Sequence, residues 1–549
     1  MINYLYHFKD KTAILVQEAK VWQFFLEGFM SKVVLVGAGP GDPALLTVKA
    51  KQYIEQADCI VYDRLVGDEI IALARADCEM IYVGKENHHH AMKQEDIQAL
   101  LVEKSKEYAL VVRLKGGDPY VFGRGGEEAL YLQGQEADRK AGINSEINSE
   151  TKSEIEIEVV PGISSSVAAL AYAGIPITHR GLAQGFHVIT AHTKKDVMAD
   201  IRFDLLTDDT ETLVFLMGLA HVAEIAQELI QAGRDPQTRV AVISNGTTNR
   251  QKKCVGTLET IGDLVTAASL VSPAIIVVGA VVGLEKQLSF FEQRPLFGRT
   301  FFVPYIEGGS FTFADGWKTE KESRLAKQLR EQGAEVITCQ TGSIRPMPCN
   351  FRLLRDLTER DYLVFTSRQA VCAFCWNLRE QKKDLRILGN ARLAIVGQKT
   401  AQALRDLGLT PDLIAEKQTG EGLGEQLAGQ VDPYSKVIWL CAARTGNGLE
   451  QALAGKCELL KVVCYENVSV QTELSQDELE QITGCDGVFF TSASNAERTI
   501  QTVGTGLPKR IYSIGKACSE KLRSMGITEY VESAEPSYES LITACVDIG

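Results

Sequence analysis

Short apolar runs that end in glycine or in a polar turn recur along the chain, and they predict buried parallel strands. The first run covers residues 33–36 and leads into the turn GAGPGD at residues 37–42. Behind this turn, Thr47 is suited to cap a helix whose apolar stripe includes Tyr53 and Ile54. Strand, glycine-rich turn and helix in this order predict a site for a nucleotide-like ligand, because backbone without Cβ atoms lets a ligand approach closely.

Further apolar runs in the first half predict strands at residues 59–62, 81–83, 109–114, 155–160, 212–216, 239–244 and 274–279. The second half contains an internal repeat: VFTSRQA at 364–370 recurs as FFTSASNA at 489–496, and IVGQKTA at 395–401 recurs as SIGKACS at 513–519. Each copy predicts a strand, a short polar turn and a helix. The repeat therefore predicts two α/β lobes that face each other across a cleft.

Length and charge narrow the class of protein. A chain of 549 residues is long enough for several domains. Its net charge of −13 opposes a nucleic-acid partner and an anionic membrane surface, and no apolar run reaches the length of a membrane span. Thirteen scattered cysteines predict reduced thiols in a cytoplasm, and the pair Cys372 and Cys375 lacks the second pair that a zinc site needs.

Two stretches do not fit the α/β pattern. Residues 1–30 lack the order of charge, apolar run and small residues that a secretory signal has, and we hypothesise that Met30 is the biological start. Residues 143–154 repeat the letters INSE, which bury little, and we expect an expanded surface loop there.

Several polar residues follow directly after the predicted strands. Asp63 would hold a ribose in a dinucleotide fold or merely cap a helix, although the G-x-G-x-x-G fingerprint is absent because Asp42 takes the place of its last glycine. Asp118, in the turn GGDP, offers acceptors to a ribose or an amino group. Arg124 can pair with a substrate carboxylate. Histidines 88–90 point in different directions on any regular element, so we expect no metal there.

These motifs resemble the tetrapyrrole methylase family over residues 31–290, and the string GGDPYVFGRGGEE resembles its uroporphyrinogen-III C-methyltransferase subgroup. The resemblance implies a two-lobed fold, S-adenosylmethionine as cofactor, and two methylations that make precorrin-2. It assigns proton acceptance to Asp63 and proton donation to Lys85. It implies cofactor contacts at Pro40, Gly116, Gly117, Asp118, Val121, Ser164, Ser165, Met217 and Gly246. It implies substrate contacts at His90, Arg124, His179 and Arg180, with a structural role equally open for His179.

After a linker at residues 291–297, residues 298–549 resemble uroporphyrinogen-III synthase. The resemblance rests on the two FTS turns, the two glycine turns and the segments TGEGL at 419–423 and VCYEN at 463–467. It implies two α/β lobes joined by a two-strand crossover, with one lobe near 298–335 and 470–549 and the other near 340–465. It implies that Tyr465 assists loss of the hydroxyl group of hydroxymethylbilane, with buried packing as the alternative. The cleft-facing candidates are Thr366, Ser367, Thr400, Thr491 and Ser492.

The leading hypothesis is thus a bifunctional α/β enzyme that makes uroporphyrinogen III and methylates it for sirohaem or cobalamin synthesis, as a cytoplasmic homodimer without nucleic-acid, membrane or metal partners. Two departures from the synthase pattern, Pro304-Tyr305 in place of Thr-Arg and Cys518 in place of threonine, keep a non-catalytic substrate-binding second half as an alternative. A methylase of RNA or of a later precorrin, and a nicotinamide enzyme, are further alternatives that the acidic charge and the motifs oppose.

Overall fold

A computed structural model describes residues 31–75, 77–84, 92–140, 155–191, 198–320, 323–504 and 506–547. The chain forms two compact units that meet between Arg294 and Pro295, and each unit is described by itself below. Lys85, His90, the other two histidines of the triplet, the loop at 143–154 and Met30 all lie outside the described residues.

The first unit begins with a parallel sheet of five strands in the order β3-β2-β4-β1-β5. The strand β1 lies inside this sheet, and the side chains of residues 33–36 are fully buried between helices on both faces. Thr47 caps the first helix by accepting a hydrogen bond from the Ala50 N–H, as the sequence predicts. The elements are β1 (Ser31–Gly37), α1 (Val48–Gln56), β2 (Cys59–Tyr62), α2 (Asp68–Ile71), β3 (Glu79–Tyr82), α3 (Gln94–Glu107), β4 (Leu110–Lys115), α4 (Gly125–Lys140) and β5 (Ile155–Val160).

The second half of this unit builds a mixed sheet in the order β6-β7-β10-β8-β9. Only β6 and β7 pair in parallel, and the other neighbours are antiparallel. The sequence did not predict β6 or β9, which contain glycine or lysine and lack a long apolar run. The elements are α5 (Ser165–Tyr172), β6 (Gly185–Thr190), β7 (Glu211–Leu216), α6 (Val222–Gln231), β8 (Arg239–Ser244), β9 (Lys252–Thr257), α7 (Ile261–Ala267), β10 (Ala274–Val278) and α8 (Glu285–Leu288).

The second unit is organised by one sheet of eleven strands, in which the path is β16-β15-β14-β17-β18-β13-β11-β19-β20-β21 and β12 pairs with β11. Its elements are β11 (Thr300–Thr312), β12 (Gly316–Glu320), α9 (Arg324–Glu331), β13 (Glu335–Pro346), β14 (Tyr362–Phe365), α10 (Arg368–Glu380), β15 (Arg392–Ile395), α11 (Gln398–Arg405), β16 (Leu413–Ile414), α12 (Gly420–Leu427), β17 (Lys436–Ala442), α13 (Gly448–Leu453), β18 (Glu458–Ser469), α14 (Gln476–Thr483), β19 (Gly487–Phe490), α15 (Ala493–Val503), β20 (Ile511–Ser513), α16 (Lys516–Ser524), β21 (Val531–Glu532) and α17 (Tyr538–Asp547).

The repeat detected in the sequence is a structural repeat. Strands β14 and β19 each lead into a helix capped by a serine, Ser367 in one copy and Ser492 in the other. The chain passes between the two ends of the sheet along the long antiparallel pair β13 and β18, which confirms the predicted crossover of two strands. The α/β class and the arrangement in lobes are therefore confirmed.

Two regions add detail to the expectations. In the predicted linker at residues 291–297, Phe291 packs on Tyr172 of the first unit, and Leu296 is fully buried in the core of the second unit, because both side chains are apolar. Strand β11 continues well beyond the predicted apolar start and turns into β12, and the hairpin packs Phe311 and Trp317 against the core beside α10. Short 3₁₀ helices lie at Pro43–Leu45, Phe203–Leu205, Leu219–His221, Ala280–Leu284, Phe351–Leu354 and Leu385–Leu388.

Candidate active sites of the two units

Three turns at the carboxyl end of the first sheet pack backbone against backbone. They follow β1, β4 and β5, and they meet at Gly37, Gly117 and Gly162. A Cβ atom on Gly162 would lie 2.1 Å from the Gly117 carbonyl oxygen, and one on Gly37 would lie 2.5 Å from the Gly162 nitrogen. Gly39 and Gly117 also exchange backbone hydrogen bonds of 3.1 and 2.7 Å. Glycine is required here because side chains would push the turns apart.

Asp118 holds these turns together. Its Oδ2 accepts a hydrogen bond of 3.0 Å from the Gly162 N–H, and its Oδ1 accepts one of 2.8 Å from the Tyr120 N–H. The carboxylate that the sequence assigned to a ligand is therefore already used to shape the turn, and only its remaining lone pairs face outward.

The GPG turn after β1 also contacts the second sheet of the same unit. The Asp42 N–H donates to Thr247 Oγ1 at 3.4 Å, and the Tyr172 hydroxyl donates to Asp42 Oδ2 at 2.8 Å. Burial, and then this carboxylate, raise the pKa of Tyr172. Gly246 lies against α5, where a Cβ atom would come 2.4 Å from Ala169 Cβ. Sequence reasoning missed Tyr172 and Thr247, because their partner is more than a hundred residues away.

Left-handed backbone occurs at another predicted cofactor contact, which follows a strand of the second sheet. Met217 has φ 58° although it is not glycine, and its side chain is 50% exposed directly after β7. Such a conformation costs about 1–3 kcal/mol and clusters at functional sites. Val121 is also exposed, and Pro40 is half-buried. Ser164 caps α5 by accepting from the Ser166 N–H, and a site contact at Ser165 stays a prediction.

Asp63 lies directly after β2 and is fixed from the neighbouring strand. Arg113 on β4 donates from Nη2 to Asp63 Oδ2 at 3.2 Å, and the Leu65 N–H donates to Asp63 Oδ1 at 3.1 Å. Gly116 allows this approach, because a Cβ atom there would lie 2.6 Å from Leu65 Cβ. The carboxylate is about a quarter exposed, so it remains open to a substrate.

The remaining predicted substrate contacts are exposed. Arg124 has φ 59° and donates hydrogen bonds of 3.0 and 2.5 Å to the Glu127 carboxylate, and these bonds raise the pKa of Arg124. His179 and Arg180 lie in an exposed turn that is closed by backbone bonds between His179 and Ala183.

The residues at this edge fit S-adenosylmethionine. The nine predicted cofactor contacts include one carboxylate, several backbone groups and the apolar side chains of Val121 and Met217, and none of them is a cation. A set of acceptors without positive charge suits a ligand that carries a sulfonium, and the exposed apolar side chains suit its adenine and methyl groups.

In the second unit, Tyr465 on β18 reaches the serine cap of one repeat. Its hydroxyl lies 2.9 Å from Ser367 Oγ, which also accepts a hydrogen bond from the Ala370 N–H. Burial raises the pKa of Tyr465, so this side chain is a neutral hydrogen-bond donor at neutral pH. On the same face of β18, Asn467 accepts from Arg498 Nη1 at 2.7 Å, a contact that sequence reasoning missed.

The predicted cleft hydroxyls differ in their exposure. Thr366 Oγ1 accepts a hydrogen bond of 3.1 Å from the buried Trp439 indole, and Thr400 is only 5% exposed. Thr491 is half-buried, and Ser492 caps α15 by accepting from the Asn495 N–H at 3.2 Å. Of these five residues, Thr400 is buried, and the partly buried Thr366 already accepts a hydrogen bond from a core side chain.

All thirteen cysteines are free thiols, and burial raises the pKa of Cys375 to about 12. Within the described ranges, no group of three or more histidine, cysteine or acidic side chains is arranged to hold a metal ion. In the same part of the chain, no helix has the length and apolar composition that crossing a membrane requires.

Fold and sites together define an α/β protein with two separate ligand-binding units. The family model for Tetrapyrrole (Corrin/Porphyrin) Methylases matches residues 32–262, and the model for Uroporphyrinogen-III synthase HemD matches residues 323–543. A "Porphyrin biosynthesis protein HemD" from Ruminiclostridium josui is 34% identical over 94% of this chain and 98% of its own length. The "Uroporphyrinogen-III C-methyltransferase" of Bacillus subtilis (strain 168) is 42% identical over 68% of this chain and 71% of its own.

Among solved structures, uroporphyrin-III C-methyl transferase from Thermus thermophilus complexed with S-adenyl homocysteine is 38% identical, with a TM-score of 0.37, and covers 46% of this chain and 99% of its own. The chain belongs to the tetrapyrrole methylase family in its first unit and to the uroporphyrinogen-III synthase family in its second. It is a bifunctional tetrapyrrole enzyme, and its first unit uses S-adenosylmethionine, the cofactor of tetrapyrrole methylases.

Proposed function

We propose that the second unit cyclises hydroxymethylbilane to uroporphyrinogen III and that the first unit methylates this product twice to precorrin-2. The observation that carries the proposal is the presence of both family matches in one chain, and a relative aligns with both matched regions over 98% of its own length. The product would supply sirohaem or cobalamin synthesis. We further propose that the enzyme is cytoplasmic. We also propose that it forms a homodimer through the methylase unit, and sedimentation of the purified chain would test whether a dimer forms.

Bound S-adenosylmethionine supplies an activated methyl group to an electron-rich pyrrole carbon. The three glycine turns and Asp118 hold the cofactor edge in shape, and the half-exposed side chain of Met217 supplies a further apolar contact to the cofactor. Asp63 accepts the proton that the substrate releases, and Lys85, which lies outside the described residues, returns one. Arg124, His179 and Arg180 bind substrate carboxylates, since guanidinium groups pair with planar acids and a ring N–H of histidine donates a hydrogen bond to them.

In the second unit, Tyr465 donates a hydrogen bond to the oxygen of the departing hydroxyl group of hydroxymethylbilane and stabilises it as the C–O bond breaks. The group leaves as water with a proton from solvent, and the ring-closing carbon later returns a proton to solvent. The raised pKa of Tyr465 keeps the proton on the phenol, and Ser367 fixes its direction. The serine and threonine hydroxyls near the helix caps then hold the chain in the geometry that inverts the last pyrrole ring. The rate of this reaction depends more on the orientation of the bound substrate than on strong acids or bases in the enzyme.

One set of observations favours a second candidate, in which the second unit only binds a tetrapyrrole. Thr366 is bonded to Trp439, Thr400 is buried, and Cys518, where relatives carry threonine, is 2% exposed in the core. These three side chains leave fewer hydroxyls for catalysis than the resemblance implies.

A single anaerobic assay separates the two candidates. The purified chain is given enzymically generated hydroxymethylbilane and S-adenosylmethionine, and the isomer and its methyl count are determined by mass spectrometry and chromatography. We expect a dimethylated type-III product. A type-I skeleton, which forms without catalysis, would show that the second unit is not a synthase, and an unmethylated type-III skeleton would refute the methylase proposal.

A further inference from the structure

A buried cluster of charges lies below the carboxyl end of β4, and none of the steps above uses it. Arg113 and Lys115 are two residues apart on β4, so both side chains point to the same face of the sheet, where they are 4% and 5% exposed. Glu128 on α4 is fully buried between them. Its oxygens lie 3.0 and 3.1 Å from Lys115 Nζ and 3.4 Å from Arg113 Nε, and Gln94 donates to it at 2.9 Å.

Arg113 connects this cluster to Asp63. Its Nη1 donates to the carbonyl oxygens of Val61 and Leu114 at 3.3 and 3.0 Å, and its Nη2 donates to Asp63 Oδ2 at 3.2 Å. The guanidinium is therefore fixed in one plane by two strands and one carboxylate before it meets Asp63. Because the donors of a guanidinium group form a rigid planar fork, the contacts that fix Arg113 on one side also set the direction of the Nη2 that meets Asp63.

The charges of the cluster balance only as a set. Glu128 and Asp63 are two anions, and Arg113 and Lys115 are two cations, all at or next to the buried face of β4. Burial, and then the neighbouring Arg113, lower the pKa of Lys115, as expected for a cation that is removed from water beside another cation. Replacing a buried ion pair by apolar side chains of similar volume is often neutral or stabilising, so a buried cluster of charges is weak evidence for a role in stability.

We propose that Glu128 and Arg113 are positioning residues for methylation: Glu128 fixes Arg113, and Arg113 holds the Asp63 carboxylate in the direction in which it meets the tetrapyrrole. The inference rests on the proposed function, in which Asp63 accepts a proton. The alternative is a purely structural cluster that fastens α4 to the sheet.

The test compares four variants of the full chain with the wild type. They are Asp63→Asn, Arg113→Lys, the double variant of these two, and Glu128→Gln combined with Lys115→Met, which removes one charge of each sign and so leaves no unpaired buried charge. For each we measure kcat and KM for uroporphyrinogen III, the Kd for S-adenosylmethionine and the thermal midpoint. Arg202→Lys is the matched control, because Arg202 forms an exposed pair with Asp204.

We expect Arg113→Lys and the charge-balanced variant to lower kcat about tenfold or more, with cofactor Kd and KM within about twofold of the wild type, since a misplacement of about 1 Å can cost up to a hundredfold in rate. In the Asp63→Asn background, Arg113→Lys should add no more than a twofold loss, because Arg113 acts through Asp63. A purely structural role predicts instead that kcat, cofactor affinity and the thermal midpoint all fall together. It also predicts that the fold-losses in kcat of the two single variants multiply in the double variant.

The outcomes also separate this inference from the proposed function. If Asp63→Asn loses most but not all of its rate while Arg113→Lys and the charge-balanced variant keep the full rate, the inference is wrong and the proposed function stands. If Asp63→Asn keeps the wild-type rate, the assignment of Asp63 fails, and the positioning role fails with it.

Discussion

Replacing Gly162 by alanine should damage the cofactor edge of the first unit more than its small size suggests. Gly162 is not among the residues with left-handed backbone, so alanine is acceptable for its own conformation, and the perturbation is one methyl group. That carbon would lie 2.1 Å from the Gly117 carbonyl oxygen and 2.8 Å from Gly37 Cα. Both neighbours are backbone atoms of other turns, so no side chain can rotate away.

The cost follows from two contacts. Restoring an ordinary separation requires the turn to move by about 1 Å, and such overpacking costs about 1–3 kcal/mol. The same movement lengthens the 3.0 Å hydrogen bond from the Gly162 N–H to Asp118, and a hydrogen bond to a charged group contributes about 1.5–3 kcal/mol. If the turn must regain its native shape to bind S-adenosylmethionine, a total of about 2.5–6 kcal/mol lowers affinity roughly a hundredfold or more.

Calorimetric titration with S-adenosylmethionine, together with thermal denaturation, measures both effects. The matched control is Gly134→Ala, because Gly134 lies exposed within α4 and a Cβ atom there would meet nothing within 4 Å. We expect this control to bind normally and to gain up to about 1 kcal/mol in stability. If Gly162→Ala binds the cofactor within about threefold of the wild type at an unchanged melting temperature, the three turns do not form the cofactor edge and the reasoning is refuted.

Three further changes test other parts of the molecule. Tyr465→Phe removes the hydroxyl that contacts Ser367 and should reduce formation of the type-III isomer at least tenfold, as measured by product chromatography. Urea unfolding should show a loss of only about 1 kcal/mol in the stability of the unit. An unchanged isomer ratio would exclude a catalytic role for Tyr465. Met217→Gly relieves left-handed backbone, so it should keep stability within about 1 kcal/mol of the wild type yet weaken cofactor binding, and tight binding by this variant would show that the side chain is not used. Hydrogen bonds from Lys32, Lys49 and Tyr53 lower the pKa of Glu158 from 4.5 to about 2. The stabilisation by this carboxylate is therefore complete above about pH 4.5 and is lost as pH falls toward 2. Glu158→Gln should be less stable than the wild type at pH 7, and urea unfolding should show that this difference shrinks below about pH 4.5.

The sequence by itself determined the local features of this protein. The apolar run of β1 with its glycine turn, the Thr47 cap and the repeated strand, serine turn and helix of the second unit are encoded within a few residues each. Local pattern is enough because hydrophobic period, capping and turn chemistry act between neighbours in the chain. The resemblance to two families rests on the same short motifs.

Only the tertiary structure decided which distant residues meet. The sequence did not place Arg113 beside Asp63, Tyr172 beside Asp42 or Arg498 beside Asn467, and it missed β6, β9 and the β11–β12 hairpin. These features depend on strand order: β2 and β4 are neighbours although β3 lies between them in the chain. A side chain's partner across a sheet is fixed by that order and by register, and neither is written in the local pattern of one strand.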